Sequence, residues 1–237
     1  MKEIIRKTLG LVAGTALLGA AQGYGLTVNL DPGAAWVGYM NVSDTPADGG
    51  AYVYGSGWGT ADLVAVFSGS TLTLSPNTIG DPATFWYDSI GNNSVGNKYL
   101  DASMYVQPAD GTYTGVTLTF TADVLANTLV DSVNPVGDGW TSVAFIKDFA
   151  PDYSSFNTIT VPLTPGVFSI SLNTINDPAR HVQYGFETIG PDVWATDSAL
   201  ASYGNVQIAP VPEPSTLALT VFGGMGVLTL FRRRFDK

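Results

Sequence analysis

The sequence predicts an all-β protein, a two-sheet β-sandwich of about ten to twelve short strands set between two apolar terminal segments. Three observations predict it. Apolar residues alternate with threonine, serine and asparagine at a period of two through most of the interior, so every second side chain falls on one face of a strand. Turn-forming residues interrupt that alternation roughly every eight to twelve positions, and 27 glycines and 14 prolines are available to do so. Convincing helical periodicity is absent from the interior. A chain of 237 residues can bury a full-sized core without disulfides. It has no cysteine, which also excludes a thiolate zinc site and a cysteine nucleophile.

The elements follow in order. "MKEIIRKTLGLVAGTALLGAAQGYG" places Lys2, Arg6 and Lys7 before an apolar stretch from Leu9 to Leu18. Gly19-Ala20-Ala21 or Ala21-Gln22-Gly23 then offers small residues for cleavage. A positive flank, a short apolar helix and a small-residue exit make a secretory signal over residues 1–23, to be removed by signal peptidase.

Residues 24–210 form the expected ectodomain, taken as one domain. Its candidate strands begin with "LTVNL", "AAWVGYMNV", "DLVAVF", "STLTLS" and "YLDASMYVQ". "GVTLTFTAD" then sets Val116, Leu118, Phe120 and Ala122 against threonines. "DVLANTLV" fits two helical turns or a strand equally well. "FNTITVPLTPGVFSISLNT" reads as a hairpin turning at Thr164-Pro165-Gly166, with Ile159 and Val161 facing one way on its first strand and Phe168, Ile170 and Leu172 on its second. "HVQYGFET" and "YGNVQI" close the set.

Charge is concentrated at the ends. Residues 22–210 hold sixteen aspartates and one glutamate against Lys98, Lys147 and Arg180, a net charge of −14. Nucleic acid and anionic lipid headgroups would repel such a domain.

The C-terminal residues 211–237 read "VPEPSTLALTVFGGMGVLTLFRRRFDK". Residues 216–231 carry no charge, a run short of the roughly 20 residues of a relaxed helical span. Arg232, Arg233 and Arg234 then supply a positive stop that holds this transmembrane helix with its end in the cytoplasm. A Pro-Glu-Pro triplet, an apolar helix and an arginine cluster in this order resemble the PEP-CTERM sorting signal of exported bacterial proteins. The resemblance implies Pro212, Glu213 and Pro214 as the recognition triplet of an exosortase, a membrane-bound protease-transpeptidase, and the arginines as the stop-transfer element. Prolines also keep the triplet extended and out of the following helix. Stretches such as "WGTADLVAVF", "AFIKDFAPDYSSF" and "NDPARHVQYGFETIGPDVW" are similar to ectodomains of that family, which implies no activity.

The second half of the ectodomain resembles galactose-binding-like jelly rolls, in which a Thr-rich strand opens the domain and a short strand like "YGNVQI" closes it. The resemblance implies the fold of many carbohydrate-binding modules.

Catalytic chemistry has little to work with. His181 is the one histidine, and no G-x-S-x-G elbow is present. Gly55-Ser56-Gly57-Trp58-Gly59 lacks the Lys-Ser/Thr and helix of a phosphate loop and reads as a glycine-rich turn. Glu187, the one interior glutamate, has no obvious partner among the aspartates for a glycosidase pair. Asp148 and Asp152 in "KDFAPDY", or Asp177 in "INDPAR", are the candidate ligands of a structural calcium ion, and no other cofactor is expected. Trp58, Trp86, Trp140 and Trp194 sit beside loop residues, where an exposed indole could stack on a sugar ring.

The combined expectation is a non-catalytic exported protein, held briefly in the inner membrane by its C-terminal helix and then released to the cell surface or extracellular matrix. Its ectodomain would be structural or adhesive and associated with exopolysaccharide. The alternatives are a carbohydrate-binding module and a secreted hydrolase.

Overall fold

A computed structural model describes residues 25–88, 90, 95–130 and 139–212. The signal segment, Glu213, Pro214, the apolar run 216–231 and Arg232 to Arg234 lie outside the described residues. Among those described, no helix is long and apolar enough to cross a membrane.

The alternating stretches become thirteen strands: β1 (Gly25–Asn29), β2 (Trp36–Asp44), β3 (Tyr52–Trp58), β4 (Ala65–Ser68), β5 (Thr71–Leu74), β6 (Thr78–Ile79), β7 (Val95–Val106), β8 (Thr117–Asn127), β9 (Thr141–Phe149), β10 (Phe156–Pro162), β11 (Gly166–Asn173), β12 (His181–Trp194) and β13 (Val206–Ala209). They make two sheets packed face to face. A seven-stranded sheet runs β10-β9-β12-β7-β2-β3, with β6 added in parallel at the end of β12. In the six-stranded sheet β8 takes β11 along one edge. Its other edge takes β1 in parallel and then β13 antiparallel, followed by β5 and β4.

Burial follows the alternation. Leu118, Phe120, Ala122 and Val124 of β8 point inward between half-buried threonines, and meet Val182, Tyr184 and Phe186 of β12. Phe120 is the hub: its ring lies 5.3 Å from Phe168, 5.0 Å from Tyr184 and 5.3 Å from Phe186.

Two expectations are corrected. "FNTITVPLTPGVFSISLNT" is not a hairpin. Its first half pairs with β9 in one sheet and its second half with β8 in the other, so Thr164 to Gly166 crosses between sheets. Both halves bury the faces that alternation assigns to them, but against opposite layers of the core. The glycine-rich stretch from Gly55 to Trp58 is strand β3 rather than a turn, paired to β2. Gly55 is needed there because a side chain would strike Tyr39 Oη at 2.7 Å and Asn41 Oδ1 at 2.9 Å. The ambiguous "DVLANTLV" continues β8 as strand as far as Asn127.

At the C-terminal edge the Asn29 amide clamps the last described residues. Its Nδ2 donates to the Val211 carbonyl and its Oδ1 accepts the Val211 N–H, both at 3.2 Å. Val211, the residue before Pro212, is thereby held to the end of β1.

Candidate functional site

The outward positions of the seven-stranded sheet hold a cleft of about 650 Å³. That volume lies within the roughly 300–1,000 Å³ of small-molecule and glycan-scale sites. Strand register builds it in rows. Tyr39, Ser103 and Glu187 align across β2, β7 and β12, with Asn41 opposite Asp101 in the next row. Tyr105, Gly185 and Phe145 make the following row. A side chain on Gly185 would collide with the Met104 carbonyl and with Tyr105, so this position stays low between the two rings.

The floor is polar and nevertheless buried: Ser103, Gln183 and Glu187 all lie below a tenth of full exposure. A polar ladder crosses the strands. Lys147 Nζ pairs with Glu187 Oε1, which also accepts from Ser103 Oγ at 3.0 Å. Gln183 Nε2 donates to Gln107 Oε1 at 2.7 Å, and Gln107 Nε2 donates to the Tyr153 hydroxyl at 3.1 Å. Asn41 Nδ2 reaches Asp101 Oδ2 at 3.4 Å, while Asp101 Oδ1 is shut off from water with no hydrogen-bond partner. Burial, and next the charge of Glu187, push the Asp101 carboxyl up to about 6 against the opposing pull of Lys147 and Asn41.

Aromatic rings form the rim, with Tyr39, Tyr105, Phe149, Tyr153 and Phe156 around the polar floor. Phe149 lies 5.4 Å from Tyr153 and 4.9 Å from Phe156. Tyr153 is held at a φ of +57°, in the left-handed region that disfavours side chains, and a strained residue at a rim is a recurring mark of a binding site. His181 fixes it there. The imidazole stacks on the Tyr153 ring at 4.3 Å and 5°, with Nδ1 2.6 Å from Asp110 Oδ1 and Nε2 3.1 Å from the Pro151 carbonyl. Both neighbours are acceptors, so the arrangement suits the imidazolium with two N–H donors. Burial opposes that charge, but the bonds to Asp110 and Pro151 and the Asp110 carboxylate outweigh it and raise the His181 pKa.

The four tryptophans scatter. Trp58 and Trp86 line a second groove with Asp62 and Asp81, but Trp86 is only 7% exposed and Trp58 is half-buried with its Nε1 on Ser56 Oγ. Trp140, at 2% exposure, is a core residue and not a surface platform. Its Nε1 donates to the Pro191 carbonyl at 2.9 Å, and Gly190 leaves the space its indole fills. Trp194 packs edge-on against Tyr87, on the same core cluster as Trp58 and Trp86. Asp148 and Asp152 do not form a shared cation site. Asp148 is fully buried, and both its oxygens are taken, Oδ1 by Arg180 Nε at 2.7 Å and Oδ2 by the Ile175 N–H at 2.8 Å. Asp152 lies on the surface and accepts from Ser154 N–H and Oγ, which lower its pKa. Among the described residues no group of three or more histidines or acids is arranged to hold a metal. Pro212 follows the Asn29 clamp at the edge of the fold.

Sequence reasoning missed the cleft residues because most are ordinary outward positions on their own strands, with Gln107 and Tyr153 in the adjoining loops. One signal was legible: Lys147 is one of three interior cations and Glu187 the one interior glutamate, and they meet. Lys98 and Arg180 are also paired, with Asp44 at 2.9 Å and Asp148 at 2.7 Å, so none of the three is free to receive an anion. Compared with family models, curated proteins and solved structures, the chain finds no match.

Proposed function

We propose that the chain is an exported bacterial surface or matrix protein, sorted by an exosortase through its C-terminal tail, whose non-catalytic ectodomain holds polysaccharide in the cleft of the seven-stranded sheet. The observation that carries this reading is the pairing of a ring of aromatics with a buried polar floor on a sheet face that would otherwise be solvated. Sugar rings present a C–H face to aromatics and hydroxyls to amides and carboxylates, and this cleft offers both together. We read the sandwich as a galactose-binding-like jelly roll, which the direct pairing of Thr-rich β8 with closing strand β13 supports.

The tail reading rests on the ordered triplet, apolar run and arginines, and the Asn29 clamp is compatible with it in holding Val211, just before the triplet, against the domain. Two measurements test the proposal. Intact mass of the protein from the surface fraction of its host should lack the residues after Pro-Glu-Pro, and recovery of chains still ending at Lys237 overturns the sorting reading. In affinity electrophoresis through polysaccharide gels the protein should be retarded, with Tyr105→Ala losing about tenfold in affinity, about 1.4 kcal/mol. Unchanged retardation of that variant overturns the cleft as the seat of binding.

A further inference from the structure

Resting on the glycan reading above, we infer that the cleft selects amino sugars carrying a free, protonated amine over neutral or acidic sugars. Two carboxylates, Asp101 in the cleft lining and the buried Glu187 bonded to the lining residues Ser103 and Lys147, share one ammonium, Lys147, which is already engaged by Glu187. Asp101 is left with one weak amide contact at 3.4 Å and an oxygen with no partner at all. A negative charge held so poorly inside a concave, half-dry site is under-compensated, and a ligand cation settling there supplies the missing charge.

Three neighbours narrow the class of cation. Asn41 and Gln107 add amide groups for hydroxyls, and the Tyr105 ring, beyond Ser103 on the same strand face as Asp101, offers a face for ring C–H groups. A bare metal ion uses neither, and a lysine side chain brings no hydroxyls. A hexosamine unit brings the ammonium, the hydroxyls and the apolar ring face in one residue. Uronic acids are disfavoured twice, by the Asp101–Glu187 pair and by a domain of net charge −14 in which every cation is paired. The chemical class is therefore a polymer of hexosamine with unacetylated positions.

The test uses the full-length protein in mild detergent and four oligosaccharide sets of matched length: glucosamine, N-acetylglucosamine, glucose and galacturonate. Calorimetric titration should rank glucosamine at least about tenfold tighter than its acetylated counterpart, the scale of one hydrogen bond to a charged group. Because acetylation changes only the ligand, this comparison does not depend on any variant folding. In Asp101→Asn, whose fold is checked by thermal unfolding, the glucosamine-to-acetylglucosamine ratio should fall towards one. Equal or tighter binding of the acetylated, neutral or acidic sets overturns the inference and leaves polysaccharide binding in place. Survival of the ratio in Asp101→Asn overturns the assignment to this carboxylate. Failure of all four sets, or binding of oligolysine in their stead, overturns the glycan reading itself.

Discussion

The two sheets share one core but differ on their outer faces. On the six-stranded sheet, β8 and β11 carry short hydroxyl and amide side chains that satisfy one another: Thr117 Oγ1 on Asn173 Oδ1 at 2.7 Å, Thr119 with Ser171 at 2.8 Å, Thr121 on the Phe168 carbonyl at 2.7 Å. On the seven-stranded sheet the same alternation places Tyr39, Asp101, Tyr105, Lys147 and Glu187. The first face is finished within itself. The second keeps rings facing outward and a carboxylate oxygen without a partner, an unsatisfied group that the proposed ligand would account for. The asymmetry extends inward, since three of the five buried charged residues described, Asp148, Glu187 and Asp192, belong to β9 and β12, and Arg180 and Asp197 lie just before and after β12.

The largest effect that would sharpen this contrast is loss of a buried cation. Arg180 binds Asp148 Oδ1 through Nε and the Asp148 carbonyl through a terminal nitrogen at 2.8 Å. Arg180→Ala strands a fully buried carboxylate, and we expect a loss of about 3–5 kcal/mol of stability, read from urea unfolding. A loss below about 1 kcal/mol would mean that water reaches Asp148 and that this sheet does not store buried charge as described.

Comparable in size is the response to pH. Asp192 is fully buried, its Oδ1 accepts the Lys98 N–H at 3.0 Å, and burial pushes its carboxyl up to about 7. A carboxyl with a raised folded pKa binds its proton more tightly in the folded protein. Its stabilising contribution is greatest below its unfolded pKa of about 4 and is lost as pH climbs to the folded value. Asp101, raised to about 6, has the same sign. So does His181, whose contribution is present below about 6.5 and is lost as pH rises through its raised pKa. Stability, and with it the melting temperature, should therefore fall as pH rises from about 4 to about 7, by on the order of 4 kcal/mol or more. Asp192→Asn should flatten most of that slope, raising the melting temperature at the alkaline end only. A melting temperature that climbs with pH over this window contradicts the burial of these groups.

Much of the fold was legible from residues alone, and the parts that were not have a common cause. Leu118, Phe120, Phe168, Ile170, Val182, Phe186, Val206 and Ile208 all bury as alternation requires, because a strand with one wet face must sort its side chains by period. Pairing is a different matter. The stretch from Phe156 to Asn173 has the alternation and the Pro-Gly turn of a hairpin, yet its strands part to opposite sheets, since period two names the buried face and not the neighbour. The site was less legible for the same reason. Tryptophans stand out in a sequence, but Trp140 is committed to the core, whereas the cleft is assembled by register from Asn41, Asp101, Ser103 and Gln183 on three strands. Asp148 and Asp152 sit close in sequence, but the strand end separates them: one turns inward to Arg180 and the other outward to Ser154.

The smallest expected effect tests the contrast from its quiet side. Thr119 and Ser171 face each other across β8 and β11, and their hydroxyls bond only to one another at 2.8 Å. Replacing both by alanine removes donor and acceptor together, so neither is stranded, and the solvent can take up what remains of the face. The double variant should lose no more than about 0.5–1 kcal/mol of stability and bind polysaccharide as the parent does. If it weakened glycan binding as much as Tyr105→Ala, the six-stranded face would be the binding surface. The charged cleft opposite would then be a structural feature of the sheet, because a self-satisfied hydroxyl ladder has no other route by which to affect a ligand on the far side of the core.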